Sequence, residues 1–115
     1  MEKENASYQS NLGEAYLSVG DRQDKVKALE SYANAVQALR EAVRLKPNES
    51  SYWASLTNAL GSQGIAQEKR GEVTAAQTCY REALNALEQA GKLNPDAKMS
   101  GLKDDLLKRL GASRQ

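Results

Sequence analysis

Apolar residues recur along the chain three and four positions apart, the spacing of one face of an α-helix. Leu29, Tyr32, Val36, Leu39 and Val43 form one such stripe, with Ala28, Ala35 and Ala42 beside it and Lys25, Lys27, Glu30, Arg40, Glu41 and Arg44 on the polar side. Pro47 cannot continue a helix and forces Lys46 out of helical geometry, so the pattern predicts a stop near Leu45. Ahead of this helix, Tyr8, Leu12, Tyr16 and Val19 predict another, with that stripe toward the core and Gly20-Asp21 as the turn. Trp53, Leu56 and Leu60 predict a third, ended by the turn at Gly71, and Tyr80, Leu84 and Leu87 a fourth, ending before Pro95. Thr74 and Gln77 have the spacing of a capping box at the start of that fourth helix. A fifth, Met99 to Leu110, carries Leu102, Leu106 and Leu110 on one side.

The second half of this pattern restates the first. Residues 28–47, ALESYANAVQALREAVRLKP, and 76–95, AQTCYREALNALEQAGKLNP, share Ala28/Ala76, Tyr32/Tyr80, Ala35/Ala83, Leu39/Leu87, Ala42/Ala90 and Pro47/Pro95, each pair 48 residues apart. The same offset pairs Leu12 with Leu60 and Gly13 with Gly61, so both glycines are expected at close helix crossings. The expected architecture is all-α: one domain over 1–115, with one helical hairpin in about 1–47 and a second stacked beside it in about 48–95. An amphipathic capping helix at about 97–110 then covers the face that stacking leaves bare.

These residues resemble the tetratricopeptide repeat family. Its first-helix pattern is matched by Leu12, Gly13 and Tyr16 and by Trp53, Leu56, Thr57 and Leu60. Its turn glycine is similar to Gly20 and Gly71, its second-helix pattern to Ala28, Tyr32, Ala35 and Ala76, Tyr80, Ala83, and its closing proline to Pro47 and Pro95. The family period is about 34 residues, so the 48-residue spacing implies hairpins about two turns longer, lengthened by heptads that keep the seam in place. The stretch GSQGIAQEKRG, residues 61–71, has two interior glycines and two large or small apolar residues, Ile65 and Ala66; the sequence leaves open whether it is helical or a mobile loop.

The resemblance implies an α-solenoid that binds a partner peptide or helix in a concave groove lined by the first helix of each hairpin. With Leu12 and Tyr16 assigned to the core, Ser10, Glu14 and Leu17 face that groove, and Asn58, Ser62 and Ile65 occupy the comparable face of the second hairpin. The Lys-Asn-Arg clamp that chaperone-binding members use for a C-terminal carboxylate is missing, because Glu14 stands on the first face and only Asn58 on the second. The alternative is a self-associating module that forms a homo-oligomer through the lid helix, at Leu106, or the hairpin tips, at Ile65. Tyr52 falls outside the apolar stripe and is expected in exposed contact.

Charge and composition narrow the chemistry. Sixteen Lys and Arg against 15 Asp and Glu leave a net charge of +1, without the basic density that nucleic acid or an anionic membrane requires. The chain has no histidine and a single cysteine. The commonest general base and zinc ligand are therefore absent, and so is any internal disulfide. Asp104 and Asp105 are adjacent on a helix and diverge, so they cannot serve as a catalytic pair. Cys79, without a basic neighbour but Arg81, is expected to be an unreactive thiol. The sequence thus predicts a non-enzymatic, cytoplasmic protein without cofactor or metal.

Overall fold

The computed structural model describes residues 5–22, 25–95 and 100–112. Among these, all regular structure is helical: α1 (Ala6–Asp21), α2 (Lys25–Leu45), α3 (Ser50–Lys69), α4 (Val73–Leu93) and α5 (Ser100–Ala112). The pairs α1–α2 and α3–α4 form hairpins, α2 packs on α3 to join them, and α5 lies on α4. The molecule measures 45 × 32 × 19 Å, and the shortest dimension is that of two helix layers of about 10 Å each.

Local signals account for most of the ends. Asn5 caps α1, its Oδ1 accepting from the Tyr8 N–H at 3.2 Å. Pro47 follows the end of α2 and its carbonyl accepts the Trp53 indole N–H at 2.8 Å, which pins the link between the hairpins. Gly71 turns the chain from α3 to α4 with φ of 80°, the left-handed region open to glycine. The expected capping box does not form: α4 begins at Val73 after Glu72, and Thr74 lies inside it, its carbonyl accepting from Thr78. Residues 61–69 continue α3, because Gly64 packs beneath Tyr80 and Ala66 is buried, and packing outweighs weak intrinsic propensity. The start of the expected fifth helix at Met99 lies outside the described residues.

The core runs through both hairpins and the last helix, with Leu39, Leu60, Tyr80 and Leu106 nearly inaccessible. Each such side chain contributes about 1.5–3 kcal/mol by leaving water. Leu106 and Leu110 are buried and Leu102 packs against the same cluster, so α5 is a lid over the second hairpin as its stripe predicted.

The packing face of α1 differs from the expected one. Ser10, Gly13 and Gly20 are buried, with Ala6 and Leu17 against the core; of the expected stripe, Tyr16 packs against the core and Leu12 is half-buried, whereas Tyr8 and Val19 are exposed. The bulk at this crossing comes from α2. A Cβ on Gly13 would lie 2.5 Å from Leu39 Cγ, and one on Gly20 would lie 2.7 Å from the Tyr32 ring, so α1 must offer its small residues there. Gly20 is accordingly a packing position within α1, not part of a turn.

The second hairpin uses the same device one helical turn deeper. Tyr80 rests on Gly64, where a Cβ would meet its ring at 2.5 Å, while Gly61 has no atom within 4 Å of such a Cβ. Gly61 therefore faces a groove and does not mark a close crossing. Tyr52 is also reassigned: it is buried, and its hydroxyl is 3.1 Å from Ser7 Oγ, because α3 carries two buried sides, one toward α4 and one toward the first hairpin.

Candidate interaction groove

Four of the six residues expected in a partner groove meet in one depression. Leu17 from α1, Asn58, Ser62 and Ile65 from α3, and Leu102 and Leu106 from α5 line a groove of about 350 Å³, with Gly61 in its floor. Helical rotation explains the convergence. Asn58, Ser62 and Ile65 are four and three apart, on the side of α3 away from Tyr52 and Leu56. The missing Cβ of Gly61 keeps the space between them open.

The other two residues lie elsewhere. Ser10 is 8% exposed on the small-residue face that packs on α2, so it cannot reach a partner. That correction follows from the rotation of α1 described above. Glu14 is exposed but is not among the groove's lining residues; its Oε1 accepts from Ser55 Oγ at 3.0 Å and ties α1 to α3.

One end of the groove is polar. Tyr80 closes it from below and donates its hydroxyl to Glu68. The Arg109 guanidinium lies 6.0 Å from the centre of the Tyr80 ring and 3.5 Å from Glu68 Oε1, and its Nε bonds Asp105 at 3.1 Å. This network links α3, α4 and α5. Burial, then the hydrogen bond and charge of Glu68, push the Tyr80 phenol far above its usual range, so the ring remains a neutral donor. At the α1 side, Asp21 accepts the Tyr32 hydroxyl at 2.6 Å, and Tyr32 is pushed up to about 12, by burial first and by Asp21 second.

The sequence could not expose the α5 contribution, since Leu102, Asp105 and Arg109 reach the groove only through the docking angle of the lid. Their signal was the Leu102, Leu106, Leu110 stripe, which fixed the buried side of α5 and thereby its flanks.

Elsewhere, Arg40 of α2 pairs with Glu82 of α4, and both line a depression that also holds Cys79. Burial, with Glu82 next, pushes the Cys79 thiol up to about 11; its Sγ lies 3.1 Å from Gln67 Oε1 and 3.4 Å from Gln63 Oε1. At neutral pH it is a protonated, weakly nucleophilic group. Among the described residues no three His, Cys, Asp or Glu side chains gather as metal ligands, and no helix is long and apolar enough to cross a membrane. Comparison with family models, with curated proteins and with solved structures finds no match to this chain.

Proposed function

We propose that the chain is a protein-interaction scaffold of the tetratricopeptide repeat type that holds a partner peptide or helix in the groove between α1, α3 and α5. The observation that carries this reading is the meeting of Leu17, Asn58, Ser62 and Ile65 with the α5 leucines in a single groove. Leu17, Ile65 and Leu102 supply an apolar seat for one or two partner side chains. Asn58, exposed at the rim, supplies a donor and an acceptor for a peptide backbone. The reading assigns no catalysis and no cofactor to the chain, and its single, protonated thiol suits a reducing compartment such as the cytoplasm.

Site-specific photocrosslinking in source-cell extract tests the proposal. A photoreactive side chain at Ser62 should capture one dominant protein, and the same group at Arg81, on the exposed side of α4, should not. Equal capture at both positions, or capture at Arg81 alone, would move the working surface away from the groove.

A further inference from the structure

We infer that the partner segment held in the groove is basic: an apolar side chain sits on Leu17, Ile65 and Leu102 while a Lys or Arg beside it reaches Asp21. This assignment rests on the groove being the working surface. Asp21 of α1 and Asp105 of α5 bring carboxylates to the groove from two of its walls. Among the described lining residues the one cation is Arg109, and it is already engaged. Its Nε bonds Asp105 at 3.1 Å and its guanidinium lies 3.5 Å from Glu68 Oε1, so two carboxylates share one positive charge. Asp21 has no such partner. It is exposed, its Oδ1 accepts the hydroxyl of Tyr32, a neutral donor, and no cation pairs with it among the described residues. Three carboxylates against one guanidinium leave the groove negative.

The charge on Asp21 is not explained by the fold. Asp21 is the last residue of α1, where the helix dipole opposes a carboxylate. An asparagine there would accept the Tyr32 hydroxyl equally well and without that cost. What the carboxylate adds is attraction for a cation entering the groove. Its place fits that task. Asp21, Ser62 and Ile65 also line a second depression of about 340 Å³, so Asp21 stands where the two depressions meet. Lys69 lines only the second and disfavours a cation there, whereas Asp105 favours one in the first, beside the apolar seat. The groove therefore selects an apolar and a basic residue close together in the partner. An acidic segment would meet Asp21 and Asp105 with like charge and be rejected.

Panning a random-peptide display library on the full chain tests the assignment, with Ser62→Trp, which fills the groove without adding charge, as the counter-selection. Peptides retained by the wild type and not by Ser62→Trp should carry Lys or Arg within about four positions of Leu, Ile, Met or Phe. A synthetic peptide of such a sequence, followed by fluorescence anisotropy, should bind Asp21→Asn about fivefold more weakly than the wild type and lose affinity as salt rises. Asp104→Asn removes the same charge from the neighbouring position of α5, outside the lining, and should bind the peptide as the wild type does. Asp105→Asn should weaken binding in the same direction as Asp21→Asn, and it carries the test if Asp21→Asn lowers the thermal midpoint. Groove-dependent peptides that are uncharged or acidic, or that bind both lining variants as tightly as the wild type, overturn the basic assignment and leave the groove standing. Absence of any groove-dependent peptide overturns both.

Discussion

The aromatic ring of Tyr80 lies directly on the backbone of Gly64, so close that a single added methyl carbon would sit 2.5 Å from its Cε1 atom. Tyr80 is fully buried and its hydroxyl is held by Glu68, so the ring has nowhere to retreat. Gly64→Ala should therefore destabilise the protein by about 1–3 kcal/mol through overpacking. Gly61→Ala, one turn earlier with open space at its Cβ position, should raise stability by up to about 1 kcal/mol through helix propensity. Urea unfolding of both variants checks the pair, and equal effects would contradict the packing register.

That pair also marks how far the sequence could be read. Helix number, hairpin order, Pro47 and Gly71 as boundaries, and the buried side of α5 were legible, because each rests on a local periodicity or a backbone restriction. The working side of α1 was not. A stripe of large side chains marks the core only when the partner helix has room for it, and here Leu39 and Tyr32 fill the crossing, leaving Gly13 and Gly20 inside and Tyr8 outside. Gly61 and Tyr52 misled for a related reason. Sequence identity aligns the hairpins at forty-eight residues throughout, whereas in the fold only the second helices keep that offset: Gly20 and Gly64, which lie beneath Tyr32 and Tyr80, are forty-four residues apart. That Leu17, Asn58, Ser62 and Ile65 line one depression could be read from rotation about single helix axes, without knowing how the helices dock.

The lid should separate two adjacent leucines. Leu106 is 1% exposed in the core and Leu107 is 48% exposed. Leu106→Ala should cost about 2–4 kcal/mol by lost burial and a residual cavity, whereas Leu107→Ala should stay within about 0.5 kcal/mol. Thermal unfolding followed by circular dichroism measures both. Comparable losses would mean that α5 does not dock by the Leu102, Leu106, Leu110 side.

Alkaline pH should unfold the protein in stages set by its buried acids. The Cys79 thiol is raised from 9.0 to about 11. Its neutral form is favoured in the fold, so this contribution is complete below about pH 9 and is lost as pH rises through about 11. Tyr32, raised from 10.0 to about 12, follows one unit later. Cys79→Ala removes the first stage. Between pH 8.5 and pH 11 its stability should fall on the order of 2 kcal/mol less than that of the wild type, measured as urea midpoints at each pH. Parallel pH profiles would show that the thiol is not responsible.

The groove reading has a quantitative consequence once a partner has been captured. Asn58 is exposed at the rim and makes no contribution to the core, so Asn58→Ala should leave stability within about 0.5 kcal/mol. Loss of one backbone-directed hydrogen bond should weaken the partner by about 1 kcal/mol, roughly fivefold in Kd. Ser62→Arg should act more strongly, because it sets a long charged side chain into the space above Gly61 between Leu17 and Leu102. Glu14→Lys, outside the groove lining, should change binding much less than either. Titration calorimetry with the captured partner orders the three variants. An order led by Glu14→Lys would place the partner along the α1–α3 edge near Ser55 and not in the groove beneath α5.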